Sequence, residues 1–445
     1  MKIGVLAQGS NGDIEILIPL ALELLKNDHE VELLIITMNN RDYSFLQKYA
    51  NLKVFQIPIH SEFINQEEDV EFWNPTEDKK DTILDKVYKK IAKNLVDYSY
   101  RFCTKSDLLI GVHHVFELSC IAEKFNIPYV SVNYPLEYIR TKYEPPLKFS
   151  HIKELDNEKL WDLWDNYCNK SKRIINKFRK ENGLGPIKNV REELLISRFL
   201  NIIPYSKYLC NRKPDWDNSF QISGFIKPSS VDYNVWEIHE NLAGFIEGEE
   251  KPIFVTTGSM EIHENNLGKF QNILLHAAHL APRKVIILSN WESGNCVEGN
   301  VYKLKGFVSY PAILRKCCLV VHHGGIGILH NATEAGCPSI VIAYGYDQHY
   351  NAKLLYDNGI SNGSIDRKEL NAEKLATLIK EALENQAMKN KAEELALLLH
   401  NEDGVKTAVS LIEKYASAYQ ESKTHGAENT TESCMEIKVS TKEKL

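Results

Sequence analysis

Short apolar runs bounded by turn residues recur through the first half of the chain, at 2–7, 31–37, 52–57, 107–112, 129–133 and 200–205. Their apolar character is continuous rather than alternating, as in strands covered on both faces. Between the first two, residues 16–25 have the length and the side chains of a helix. Strand, helix and strand in alternation predict a parallel sheet flanked by helices, an α/β class. Residues 82–102 carry Ile83, Leu84, Val87, Tyr88, Ile91 and Val96 at helical spacing and read as an amphipathic helix. Ahead of them, residues 61–80 are polar, acidic and aromatic without a period. So long a loop either borders a binding pocket or is a surface insertion.

The pattern then starts again, with runs at 252–258, 285–290, 302–307, 318–322 and 339–344. The division that follows is a first domain over 1–223, a linker over 224–234 holding Lys227-Pro228-Ser229-Ser230, and a second domain over 235–405. A helix over 406–420, free to pack back on the first domain, precedes a polar stretch over 421–445 that reads as a disordered tail. Ligands of open parallel sheets sit at the carboxyl ends of the strands, so two such sheets imply a cleft between two rows of strand ends.

Composition narrows the class of function. With 445 residues, 43% apolar and 25% charged, the chain has the make-up of an ordinary globular protein. A net charge of -7 offers no basic field to a nucleic-acid backbone, which argues against such a partner. No apolar run approaches the ~20 residues of a membrane span. The apolar start at 2–7 is too short for a secretory signal and runs straight into Gly9, Asn11, Gly12 and Asp13. Nine cysteines, scattered and without a Cys-x-x-Cys pair, argue against a disulfide framework and against a zinc site. A reducing cytoplasm is the expectation.

Candidate chemistry concentrates in Val320-Val321-His322-His323-Gly324-Gly325-Ile326-Gly327-Ile328-Leu329-His330-Asn331. A strand ends in histidines, passes through glycines and opens into a helix, whose N-terminal amides suit an anion. A purely structural turn is the alternative. The stretch is not a Walker loop, since no Gly-Lys-Ser/Thr follows, and Gly9 to Gly12 lack the spacing of a dinucleotide fingerprint. Asp347 and Gln348, after the run at 339–344, offer the acceptors and donors that sugar hydroxyls need, or form a solvated loop pair. His113 and His114 end the run at 107–112, either facing the cleft or satisfied within their loop. Trp73, Tyr134 and Tyr138 line a pocket or pack in a core.

The order His-His-Gly-Gly-x-Gly, Glu334-Ala335-Gly336-Cys337-Pro338, then Asp347-Gln348-x-x-Asn351-Ala352 resembles the donor-binding region of family 1 glycosyltransferases. It is most similar to the branch holding sterol glucosyltransferases and glycopeptide-antibiotic glycosyltransferases. Gly9-Ser10-Asn11-Gly12-Asp13-Ile14-Glu15, Asn182 to Pro186, Pro214-Asp215-Trp216, Ser223-Gly224-Phe225 and Thr257-Gly258-Ser259-Met260 extend the likeness over about residues 1–420. The resemblance implies a GT-B fold, two Rossmann-like doubly wound domains facing across a cleft.

It also implies roles. His323 matches the histidine that donates to the donor's phosphate, with Gly325 in the turn and the Gly327 and Ile328 amides beside it. Ser259 lies near the pyrophosphate, Phe307 stacks on the base, and Val308 reads the base edge through its backbone. Asp347 and Gln348 hold the sugar hydroxyls. Asp13 matches a general base, although an Asp before an apolar run is also a helix N-cap. Asn11, His113 and His114 fall on the acceptor side. Three departures stand out: Ile328-Leu329 replace Thr-Thr, Asn331 replaces a ribose-binding glutamate, and Ile16 replaces a proline.

The implied reaction is an inverting, metal-independent hexosyl transfer from a nucleotide sugar, UDP-glucose in type. The acceptor would be a small hydrophobic natural product or lipid, with no cofactor besides the co-substrate and with peripheral membrane contact left open. A nucleotide-sugar epimerase of the same fold and an idle relative that binds another enzyme are the alternatives.

Overall fold

Val5, Leu6 and Ala7 are fully buried, and so are Leu33, Leu34 and Ile35, because helices cover both faces of the sheet to which they belong. In this computed structural model the described residues are 1–9, 11–37, 42–58, 104–227, 238–345 and 347–426. The first sheet comprises β1 (Lys2–Gly9), β2 (Glu30–Thr37), β3 (Leu52–Pro58), β4 (Leu108–Val112), β5 (Tyr129–Val132), β6 (Leu200–Ile203) and β7 (Phe220–Ile222). Their order is β3-β2-β1-β4-β5-β6-β7, every pair parallel. The second sheet comprises β8 (Ile253–Thr256), β9 (Val285–Leu288), β10 (Cys296–Glu298), β11 (Val301–Leu304), β12 (Leu319–His322), β13 (Ser339–Ala343) and β14 (Ser361–Asp366). Its order is β10-β11-β9-β8-β12-β13-β14, with only the β10–β11 pair antiparallel. Two doubly wound sheets of this kind are the α/β architecture expected from the alternation of apolar runs.

The expected strands all form, trimmed or extended by a few residues. β7, β10 and β14 have no counterpart among the apolar runs. They are edge strands, short or polar (Phe-Gln-Ile, Cys-Val-Glu, Ser-Asn-Gly-Ser-Ile-Asp), half open to water and so without a continuous apolar signature. The helix expected over 16–25 is Leu17–Lys26, preceded by a short helix, Asn11–Glu15. The amphipathic stretch 82–102, the loop 61–80 with Trp73, the linker residues 228–234 and the stretch 427–445 lie outside the described residues. The seven described cysteines are free, and Cys120, Cys210, Cys317 and Cys337 are buried.

The apolar core of the first domain does not stop at the domain boundary. It continues through Ile326, Leu329, Val341 and Leu355 of the second domain and through Ala408, Val409, Ile412 and Tyr415. These last belong to the helix Gly404–Gly426, which returns to the first domain. This helix begins before and ends after the expected 406–420, and its end occupies the start of the stretch read as a tail. Glu413 Oε1 lies 2.9 Å from both Asn27 Nδ2 and His29 Nε2, and Phe199 packs edge-on against Tyr415 and Tyr419. The chain passes between the domains twice, at 224–227 and near Gly404, and the passages touch. A methyl group at Gly404 would lie 2.5 Å from the Gly224 carbonyl carbon, so only glycine fits.

Ile412 is fully buried where the returning helix meets the first domain. Ile412→Ala should lower unfolding free energy by about 2–5 kcal/mol through the lost contacts and the cavity left behind. Urea unfolding followed by tryptophan fluorescence checks this; an unshifted midpoint would mean that the helix is not part of the first domain's core.

Candidate functional site

Parallel strands deliver their carboxyl ends to one edge, and the two sheets turn those edges toward each other. β1 ends at Gly9 and leads to Asp13, while β13 leads through Tyr344 and Gly345 to Asp347. The two carboxyl groups belong to different domains, yet the Asp13 charge helps hold the Asp347 carboxyl up, to about 7, with burial the larger cause. The two groups thus lie within electrostatic reach of each other across the cleft.

On the second domain's side, β12 runs into the helix Ile326–Glu334 with Gly325 at its N-cap and no side chain capping it. The first amides of that helix, at Ile326, Gly327 and Ile328, have no intrahelical acceptor and point out of its N-terminus. His322 Nδ1 accepts the Gly324 amide at 3.0 Å and pins the turn. Burial pushes His323 down to about 4, and burial with the neighbouring His323 pushes His322 down to about 3. Both imidazoles are thus neutral near pH 7, so His323 offers an anion a hydrogen-bond donor rather than a charge. Buried His323 Nδ1 and His322 Nε2 have no partner among the described residues.

The departures in this helix have a structural account. Ile328 and Leu329 are almost wholly buried, Ile328 in the core with Phe254 and Val320 and Leu329 in the core shared between the domains. Asn331 turns its Nδ2 onto the Gly327 carbonyl at 2.7 Å. Ser259 is exposed in the turn after β8, Phe307 is 53% exposed, and Val308 is buried beneath it. Gln348 is buried and its Oε1 accepts the Tyr344 amide at 2.8 Å, so it braces the loop from within. Asp347 accepts Asn351 Nδ2 at 3.0 Å.

On the first domain's side, Asp13 lies inside the short helix Asn11–Glu15. Ile16 stands at the N-cap of the next helix, without a side-chain cap bond, so Asp13 does not cap it. The Asp13 carboxylate packs against Gly9, whose φ is +128°, and a methyl group there would lie 2.8 Å from Asp13 Cγ. Its Oδ1 accepts the hydroxyl of Tyr134. His113 is buried, edge-on to Tyr134 at 4.8 Å and tilted against Tyr138 at 5.4 Å, and its Nδ1 has no partner among the described residues. Burial and the adjacent His114 hold it well below the usual histidine range. His114 Nε2 bonds the Gln8 carbonyl at 3.1 Å. Tyr138 leads on to Trp164 at 5.7 Å, making an aromatic wall. Arg191, fully buried and paired with Asp165 at 2.5 Å, reaches the Tyr138 carbonyl and ties that wall to the helix Asn157–Cys168. The side chain of Asn11 lies outside the described residues.

Glu137 and Tyr205 escape the sequence reading, and Tyr134 and Asn351 enter it without the contacts they make here. Tyr134 and Glu137 follow β5, a parallel strand whose carboxyl end faces the cleft by the same rule that singled out Asp13. Burial and the nearby Asp347 push the Glu137 carboxyl up to about 8. Asn351 sits one helical turn from Asp347, a spacing that could have flagged it. Tyr205 follows β6 and carries no local signal. Among the described residues, no group of three or more His, Cys, Asp or Glu side chains is placed to hold a metal ion, and no helix is long and apolar enough to cross a membrane.

Residues 283–402 match the C-terminal domain family of erythromycin biosynthesis protein CIII-like proteins. A sterol 3-beta-glucosyltransferase of Arabidopsis thaliana is 28% identical over 214 residues, 47% of this chain and 33% of that protein. The chain thus spans about a third of that relative's length. Among solved structures, the calicheamicin glycosyltransferase CalG4 superposes with a TM-score of 0.67 at 15% identity, over 93% of this chain and 98% of that one. SsfS6 of Streptomyces sp. SF2575, complexed with thymidine diphosphate, gives 0.55 at 15% identity over 93% and 99%. With its donor-domain motifs and its two facing sheets, the chain has the GT-B fold and is similar to the family 1 glycosyltransferases.

Proposed function

We propose that the protein transfers a hexose from a nucleoside diphosphate sugar, UDP-glucose in type, to a hydroxyl of a small lipophilic acceptor with inversion. The observation that carries this reading is the approach of Asp13 and Asp347 from opposite domains. One is a base candidate beside an aromatic wall; the other lies next to an anion-receptive turn. In the reaction, the acceptor oxygen attacks the anomeric carbon while the bond to the β-phosphate oxygen breaks and its electron pair leaves with the diphosphate. The acceptor proton passes to Asp13. Charge growing on the leaving oxygen meets the Gly327 and Ile328 amides and the neutral His323 donor, all preoriented. That set supports a reaction needing neither metal nor added cofactor. Asp347 accepts from the sugar hydroxyls. Phe307, half exposed, is available to the base, and the wall formed by His113, Tyr134, Tyr138 and Trp164 suits an apolar acceptor. UDP release that depends on an added alcohol, read by mass spectrometry, separates this activity from epimerisation and from an idle binding role.

Two measurements test the carboxylates. Asp13→Asn should fold normally and bind UDP normally, yet lose roughly 10²–10⁴ in turnover, the contribution of a general base. Near wild-type turnover with a verified acceptor would transfer the role of base to His113 or His114.

Asp347 makes a prediction in pH. The groups facing it are Asp13, Glu137, Tyr134, Tyr138 and Tyr205. Its folded pKa is raised to about 7, so its contribution to stability is present below its unfolded value and is lost as pH rises through 7. Asp347→Asn should therefore raise the melting temperature at pH 8 more than at pH 5. The same variant should remove an increase in UDP-glucose affinity between pH 6 and pH 8, because the ionised carboxylate is the stronger acceptor. A pH-independent affinity in the wild type would count against Asp347 as the sugar-holding group.

A further inference from the structure

The phosphate-side turn, the Asp347 carboxyl and the first domain meet at one side chain. Asn351 is fully buried. Its Nδ2 donates to the Gly324 carbonyl at 2.8 Å and to Asp347 Oδ2 at 3.0 Å, and its Oδ1 accepts the Tyr205 hydroxyl at 2.6 Å. Two acceptors on one side fix which end of the amide is nitrogen, so Tyr205 is the donor in the third bond. Tyr205 follows β6 in the first domain and is itself fully buried. Its neighbour Pro204 receives a hydrogen bond from His330, and Phe225 stacks on the same imidazole at 3.5 Å. The segment holding Tyr205 thus touches both helices that lead away from the donor loops.

We propose that Asn351 is a positioning residue, locked by Tyr205 of the opposite domain, that makes the orientation of the Asp347 carboxyl depend on closure of the two domains. The inference rests on the reading of Asp347 as the group that holds the donor sugar.

Asp347 stands at the start of the helix Gln348–Asp357 without a side-chain bond to that helix's first amides. The Asn351 amide, one turn further on, supplies the side-chain hydrogen bond that fixes it. A rotation of that amide to satisfy some other partner would break two bonds on the donor side at once. What prevents the rotation is the Tyr205 hydroxyl, which reaches Asn351 only while the first domain is docked. The bond to Asn351 also favours the ionised form of Asp347, against burial and against Asp13. Closure therefore presents the sugar with a carboxylate of fixed direction, and separation of the domains releases it.

The test compares UDP-glucose with UDP, and TDP-glucose with TDP, by calorimetry on the full chain. Tyr205→Phe keeps the ring and removes only the cross-domain bond. It should weaken the sugar nucleotide roughly tenfold while leaving the bare nucleotide within about twofold, the scale set by a buried acceptor left unpaired. Asn351→Asp keeps an acceptor for Tyr205 but loses both donations, and it should not restore sugar binding. Asn351→Ala should in addition move the pH midpoint of sugar binding upward, which loss of packing alone would not do. Melting curves verify folding; if Asn351→Ala does not fold, Tyr205→Phe decides. Equal weakening of UDP and UDP-glucose by Tyr205→Phe, or no weakening of either, would overturn the coupling. Asp347→Ala separates the two ideas. If it spares sugar binding, the assignment of Asp347 fails, and the inference with it. If it abolishes sugar binding and Tyr205→Phe does not, only the coupling fails. A wild type that binds neither sugar nucleotide overturns both.

Discussion

Two carboxyl groups from separate domains meet across the cleft. Asp13 and Asp347 each stand beyond the end of a parallel strand, and each would be fully ionised in water. In the cleft shared with Tyr134 and Glu137, burial and the Asp13 charge both favour a bound proton on Asp347. The first domain answers with the Tyr134 hydroxyl on Asp13, and the second with the Asn351 amide on Asp347. A sugar ring between the carboxylates would separate them and give their lone pairs hydroxyl donors. Under the proposed function, that exchange favours a polyhydroxylated guest.

The glycine-rich turn after β12 follows a different logic. Nothing in it carries a fixed positive charge: His322 and His323 are held neutral, and the rest is backbone. Amide dipoles and an imidazole donor cost no reorganisation when a phosphate arrives. The replacement of two threonines by Ile328 and Leu329 fits this economy. Both side chains are drawn into apolar cores, Ile328 with Phe254 and Val320 and Leu329 in the joint between domains, while the Ile328 amide stays among the free ones at the helix N-terminus.

How much of this was legible depends on what each residue does for the core. Strands buried on both faces announce themselves, since a short, unbroken apolar run between turn residues suits little else; β1, β4 and β12 are of this kind. Edge strands β7, β10 and β14 do not, because half their surface meets water and their composition is that of a loop. Among candidate site residues, those in tight local motifs, His323 with its glycines and Asp347 with Gln348, stand out through the resemblance of those motifs to a known family. Gln348 could not be placed in detail: its type suits a sugar, yet its Oε1 serves the Tyr344 amide, a bond that depends on how the loop folds. Tyr205 and Asn351 lie 146 positions apart and are joined only by the docking of the domains. No local pattern encodes such a pair. Tyr134 lies between these extremes, recognisable as an aromatic after a strand but not as the partner of Asp13.

The two passages of the chain between the domains touch at Gly224 and Gly404, where no side chain keeps the backbones apart. Two independent linkers set far apart would resist relative motion like the two hinges of a door, allowing one axis only. Two linkers pressed together act as a single pivot, about which the second domain can tilt or twist. The Lys227–Glu334 ion pair at 2.7 Å and the Phe225–His330 stack lie close to that pivot, where the lever arm is short and motion strains them little. Any substituent at Gly404 would meet the Gly224 carbonyl and force the two passages apart, so that glycine sets the angle at which the domains meet.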